Sequence, residues 1–430
     1  MKMKDLNCKP SAREIFIWNI LGSMANAVLS VITLMLATRL LNDDETDIFS
    51  IAWSISQMMA TIATFQIRTY QATDVKEEFK FKQYLIFRRA CIGIMLVSSC
   101  GYVYINHFDL YKSIIVLLVC IFRAVDALAD VYEGYFQQKE RLDLVGKAVT
   151  YRVIAAIGGF ALSLIIFQNL LLSTLVLFLS YLLCFFGFNI RYSKEVKCFK
   201  VKEKWNEKSI VWIWKLVKEG APIFINAFLM TSITNAPRMK IDAAIANGEM
   251  MSGGQTIFNI IFMPASVLTL VYIVFRPLLT KMAIEWTQGH KKGFMKIVGT
   301  IFGCLLGIAI VLLVGSAILG IPFLSILYAT DLKAYKLELL VIILGGCFCT
   351  FSYLLDNALI VIRKQYLLIC SYIIAWGYVE CFVSVFVKKW QLLGAALAYT
   401  TSMIAFFVVT FAIFIICIKK SGETDGKSEK

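Results

Sequence analysis

Cys120-Ile-Phe-Arg-Ala-Val-Asp-Ala-Leu-Ala-Asp-Val-Tyr-Glu133 lies inside an apolar run long enough to cross a bilayer, yet it carries Arg123, Asp126, Asp130 and Glu133. Their spacing of three, four and three places all four on one helical stripe, roughly 80° wide at 100° per residue. A charge at the bilayer centre costs about 2.5–3.5 kcal/mol even on insertion scales, so this stripe cannot face lipid. It faces its own members, other helices or water. Pairing of Arg123 with Asp126 and Asp130 would rigidify a bundle, but leaves a carboxylate over; the alternative is one wall of a polar pathway.

The rest of the chain has the composition such a helix needs. Of its 430 residues 59% are hydrophobic, mean hydropathy is +0.74, and apolar runs of membrane-crossing length recur almost throughout. Strand-period alternation is absent, which disfavours a membrane barrel. The expected class is an all-α polytopic membrane protein with about twelve spans, at 15–40, 48–67, 84–105, 113–137, 147–167, 170–190, 221–246, 254–275, 294–319, 337–362, 366–387 and 392–418. An acidic loop, Asn42-Asp-Asp-Glu-Thr-Asp47, joins the first two.

The net charge of +14 would point to nucleic acid in a soluble chain. Here most of the 43 lysines and arginines fall in alternate loops, with Arg123 left inside a span, and this is the positive-inside pattern. It predicts cytoplasmic termini in a cell membrane, no nucleic-acid partner and short outer loops. The start of the chain, basic and without a small-residue cleavage site, reads as a tail before a retained first span. A basic stretch from Arg191 to Lys218 divides the sequence near its middle. The expected organisation is an N-terminal lobe (1–190), a cytoplasmic linker (191–219), a C-terminal lobe (220–418) and a tail (419–430). Asn19, Asn26 and Arg39 in the first span are echoed by Asn226, Asn235 and Arg238 in the seventh, as an internal repeat would give.

No nucleotide-binding loop, catalytic triad or HExxH motif is present, and the twelve cysteines lack metal or disulfide spacing. The chemistry that remains is non-covalent, and no enzyme activity is expected. Besides the stripe, three groups stand out: Arg39 with Arg238, Lys240 and Asp242; Arg68 with Asp74; and Asp356 with Glu380. Arginine suits phosphate or pyrophosphate through its planar fork of donors. A buried carboxylate suits proton coupling. The plainer readings are snorkelling for Arg39, Arg68 and Arg238, pairing of Asp356 with Arg363, and helix-to-helix bonding for Asn26 and Asn235. Glu380 has no sequence neighbour to pair with. Pro237 and Pro264 kink spans in the second half, freeing carbonyls.

Ile48-Phe-Ser-Ile-Ala-Trp-Ser-Ile-Ser-Gln57 and Phe65-Gln-Ile-Arg-Thr-Tyr-Gln-Ala-Thr-Asp74 resemble the bacterial polysaccharide flippases of the Wzx type, for O-antigen or capsule, in the multidrug/oligosaccharidyl-lipid/polysaccharide exporter superfamily. So do Asn235-Ala-Pro-Arg-Met-Lys-Ile-Asp242, Pro264 and Leu355-Asp-Asn-Ala-Leu-Ile-Val-Ile-Arg-Lys-Gln365. Ala-Ile-Ala-Asn-Gly-Glu249 departs from the family pattern, where Leu-Gly is commoner. The resemblance implies two six-helix lobes around a central cationic cavity, working as a monomer by alternating access. It implies an isoprenoid-pyrophosphate-linked oligosaccharide as cargo, glycosyltransferases and a polymerase as partners, and a proton or sodium gradient in place of any cofactor. Arg123, Arg39, Arg238, Arg68, Asn26 and Asn235 are the expected cargo residues; Asp126, Asp130, Glu133, Asp242, Asp356 and Glu380 are the expected cavity or coupling carboxylates. The rival readings are a cation-coupled drug antiporter, a peptidoglycan-precursor flippase and a membrane polymerase, the last needing large outer loops that the sequence lacks.

Overall fold

The computed structural model describes residues 10–74, 78–196, 211–272 and 275–425. Among them every regular element is helical: α1 (Ala12–Leu40), α2 (Asp43–Thr64), α3 (Ile67–Thr73), α4 (Phe81–Ile105), α5 (Leu110–Gln138), α6 (Leu142–Phe167), α7 (Leu170–Cys184), α8 (Arg191–Glu195), α9 (Val211–Ala246), α10 (Gly254–Tyr272), α11 (Arg276–Thr287), α12 (Lys291–Gly315), α13 (Ile321–Tyr328), α14 (Lys336–Val361) and α15 (Leu368–Asp425). Two π-helical segments, Phe185–Ile190 and Ser316–Gly320, run α7 into α8 and α12 into α13. Of the predicted linker, residues 197–210 lie outside the described residues.

Eight described segments are long and apolar enough to span a membrane. The last of them is two helices, broken at Gln391 (φ 47°, ψ −123°). Together with α2, α5 and α10, which cover the remaining predicted positions, they reproduce the twelve expected spans. The differences lie at the ends. The predicted acidic loop at 42–47 is instead the start of α2: Asn42 caps it by accepting from the Glu45 amide at 2.8 Å, and Asp43, Asp44 and Glu45 occupy the first turn, where the helix dipole favours them. Likewise α9 begins ten residues before its predicted start, and α11 occupies what reads in sequence as a loop.

The chain divides into two compact units, Met1–Phe228 and Leu229–Lys430. In the first, α5 is the central helix and touches α2, α3, α4, α6 and α7. That placement explains why a charged stripe can exist on it: nearly every direction from α5 meets protein. Beside it, α1 and α6 cross closely. A Cβ on Gly146 would fall 2.0 Å from the Trp18 carbonyl oxygen, and one on Gly22 2.9 Å from the Gly146 Cα. Small residues permit this backbone approach, which supplies dispersion contacts where apolar burial against lipid supplies little. In the second unit α14 is central, flanked by α10, α11, α12 and α15, and Pro264 lies within α10.

Candidate functional site

Three local features aim side chains at the stripe of α5. The first is a break after Thr64, where Phe65 (φ 43°) and Gln66 (φ 50°) both take the left-handed conformation. That costs about 1–2 kcal/mol per residue for side chains other than glycine. Phe65 is held there by stacking on Phe224 (centroids 4.5 Å apart) and by the edge of Phe87 (5.4 Å). The break turns α3 across α5 and delivers Arg68. The second is Gly134: a Cβ there would lie 2.5 Å from Gln71 Oε1 and 3.4 Å from Arg68 Cγ, so a larger residue would push the Gln71 side chain out of its place. Gln71 then donates to the Val131 carbonyl at 3.0 Å. The third is the π-helical turn in which Asn189 sits; single π turns recur at functional sites.

These features assemble one charge network. Asp130 accepts from Arg68 on one oxygen and from Arg88 on the other, both at 2.8 Å. Glu133 meets Arg152 at 2.9 Å and Arg68 at 3.3 Å, with Asn189 donating at 3.4 Å. Asn189 also accepts from Arg152 at 2.9 Å, and Arg88 donates to the Ala63 carbonyl at 2.9 Å. Asp126 Oδ1 accepts from Tyr181 at 2.5 Å and from Arg152 at 3.4 Å. Four arginines face three carboxylates, a surplus of one positive charge.

The network has a sealed side and an open one. Arg88, Arg152 and Glu133 side chains are at most 4% exposed, whereas Asp126 and Arg68 are 32% and 31% exposed. Arg123, with a side chain 14% exposed, borders the open side through Asp126 and is the least neutralised member. Its one ion pair, to Asp126 Oδ2, is 3.7 Å long, and it makes no hydrogen bond among the described residues. Its guanidinium lies instead over the Trp53 ring, 4.6 Å from the centroid, with Phe122 at 5.6 Å. The expected partnership of Arg123 with Asp130 does not occur, since Asp130 is fully engaged by Arg68 and Arg88.

In the second unit Arg238 is buried, not snorkelling. It donates to the Thr234 carbonyl (2.7 Å), Asn259 (2.5 Å) and Asn235 (3.3 Å), and stacks 4.1 Å from the Phe262 centroid. All of these partners are neutral. One turn before Asn259, the Gln255 amide is fully buried with neither of its polar atoms bonded. Asp242, one turn after Arg238, is also buried. Asp356 is buried but does not pair with Arg363, which is exposed beyond the end of α14. Tyr372 donates to Asp356 Oδ2 at 2.7 Å, while Oδ1 has no partner. Glu380 is exposed on α15, as are Asn26 and Arg39 on α1, and neither α1 residue pairs with the α5 carboxylates. Asp74 does not meet Arg68 either. It accepts from the amides of Glu78 (2.9 Å) and Phe79 (3.1 Å) and from Tyr84 (3.1 Å), just before and within α4.

Sequence reasoning therefore groups Arg123, Asp126, Asp130 and Glu133, sets Arg68 apart with Asp74 where the structure brings it to Asp130 and Glu133, and misses Arg88, Arg152, Tyr181 and Asn189. By loop charge Arg88 and Arg152 fall with the inner-surface cations. Depth along the apolar run does not separate them, since Arg89, next to the buried Arg88, is exposed.

No family model matches the sequence, and neither does any curated protein sequence. Solved structures do match in shape. A multidrug-resistance MATE-family transporter of the MOP superfamily, in an inward-facing conformation, superposes with a TM-score of 0.66 at 11% identity, over 94% of this chain and 99% of that one. The fold is similar to that of this MOP-superfamily transporter. Also similar are the lipid II flippase MurJ in an inward closed conformation (TM-score 0.68, 14% identity, 94% of this chain and 89% of that one) and a MOP-superfamily transporter from Pyrococcus furiosus (0.60, 12%, 95% and 94%). These matched structures are of two transporters and a flippase.

Proposed function

We propose that this chain is a flippase that moves isoprenoid-pyrophosphate-linked oligosaccharide from the cytoplasmic to the outer leaflet for surface-polysaccharide assembly. The observation that carries the reading is Arg123: a cation bordering the open side of a network with one surplus positive charge, held by a single 3.7 Å ion pair. An anionic head group supplies the partner that the protein withholds, and the planar guanidinium suits a phosphoryl group. Arg68, at the same open side, and Arg238, surrounded by neutral partners, are further cargo contacts, with Asn235 orienting Arg238. Asn26, mid-way along α1, and Arg39, at its outer end, serve as further contacts. Asp126, Asp130 and Glu133 keep the cargo arginines in place, with Asp242 in a like role beside Arg238. Asp356, with one unpartnered oxygen, and Glu380 are the candidates for carrying a coupling ion. Transport follows from differential affinity of cargo and ion for two states. The chain acts as a monomer in the cell membrane with cytoplasmic termini, beside glycosyltransferases and a polymerase.

The likeness to a multidrug transporter supports a second reading, cation-coupled efflux. One experiment separates the two. Purified protein in proteoliposomes is supplied with a fluorescent isoprenyl-pyrophosphate oligosaccharide or with a cationic dye, under an imposed proton or sodium gradient. Movement of the lipid without dye transport is expected. Dye transport without lipid movement overturns the flippase reading.

A further inference from the structure

The Trp53 indole N–H is buried without a hydrogen-bond partner, and so is the Nε–H of Arg123, whose guanidinium lies over that same ring. Buried indole donors ordinarily find acceptors, because an unsatisfied one costs about 1–3 kcal/mol. Trp53 is 8% exposed, so bulk water does not meet the need. Other arginines of the network also have an unbonded Nε, but each of those bonds through its remaining N–H groups; Arg123 makes none. The two orphan donors come from different helices, α2 and α5. The indole packs against Phe49 and Phe122, whose centroids lie 5.7 and 5.9 Å away.

We infer that Trp53 and Arg123 form a two-donor clamp for one oxyanion, a phosphoryl group, with the indole N–H and the guanidinium bonding to its oxygens. The chemistry of the pair selects the ligand. Indole and guanidinium donate only, so a sugar hydroxyl's own proton finds no acceptor on them and a cationic drug is repelled. An acceptor nearby, Asp126 Oδ2, stands 3.7 Å from Arg123 and acts as its resting counter-ion. Asp126 Oδ1 is tied by Tyr181 and Arg152, so the carboxylate stays anchored when the ligand arrives. This assignment deepens the flippase reading by naming the residue that recognises the phosphoryl group, and it rests on that reading for the cargo but not for the donor chemistry.

The test titrates inorganic pyrophosphate into the full-length chain in nanodiscs by calorimetry, at fixed ionic strength, with Trp53→Phe, Trp53→His and Arg123→Gln. Trp53→Phe keeps an aromatic face for the guanidinium and removes only the donor; it should weaken binding roughly ten-fold or more, the size of a hydrogen bond to a charged group. Trp53→His restores a ring N–H and should recover part of the loss, as an altered fold would not. Should Trp53→Phe fail to fold, the wild-type protein still decides: with ¹⁵N-labelled indoles, pyrophosphate should shift one tryptophan N–H resonance, and Arg123→Gln should abolish that shift. Equal affinity in wild type and Trp53→Phe, no indole shift, or no binding by the wild type overturns the clamp. Trp53-dependent pyrophosphate binding in a protein that moves no lipid-linked sugar keeps the clamp and discards the flippase.

Discussion

Arg152 and Glu133 meet at 2.9 Å with side chains only 2% and 4% exposed, the sealed end of a network whose other end is open. Breaking such a pair removes the nearest counter-charge of a buried group, at a cost of up to about 3–5 kcal/mol, whereas replacing both members with apolar residues of similar size is often neutral. Arg152→Met or Glu133→Leu alone should therefore lower the thermal unfolding midpoint in detergent and reduce membrane yield. The double variant should recover most of the loss. A double variant as unstable as the worse single one would mean that the pair's other ligands, Arg68, Asn189 and Asp126, dominate.

Gly134 makes room for Gln71 and the Arg68 stem. Gly134→Val should displace α3 and cost about 1–3 kcal/mol, the usual range for overpacking. Because Arg68 rides on α3, transport should fall further than the modest stability loss explains. The readout is transport rate against unfolding midpoint across Gly134→Ala and Gly134→Val. A variant that transports normally would show that Arg68 can be moved at no cost.

Asp356 has one oxygen bonded to Tyr372 and one with no partner, on a buried side chain. If it carries the coupling ion, Asp356→Asn should leave cargo binding in place while transport stops responding to an imposed proton or sodium gradient. Glu380→Gln is the matched variant on an exposed position. Unchanged gradient dependence in both removes these carboxylates from coupling.

The twelve spans and the stripe on α5 can be read from the chain because both are local: apolar length sets the first, and 3.6-residue periodicity the second. The partners of the stripe are not local. Arg68 reaches Asp130 across 62 residues and Asn189 reaches Glu133 across 56, and neither distance leaves a mark in spacing. Arg88 and Arg152 resemble positive-inside cations until the helices that bury them are in place. The match of Asp356 with Arg363 fails because α14 ends at Val361, and Arg363 then takes a positive φ outside the helix, so helical spacing no longer applies between them. The start of α2 was hidden by charge: acidic residues read as loop, although the first turn of a helix favours them.

Arg123 decides the account. In proteoliposomes, Arg123→Gln should move isoprenyl-pyrophosphate oligosaccharide roughly ten- to hundred-fold more slowly than wild type, the worth of one charge-assisted contact. Its unfolding midpoint should stay close to that of the wild type, because the arginine's one ion pair is long and borders the open side of the network. A variant that is equally stable and transports at the wild-type rate would contradict the claim that Arg123 receives the cargo.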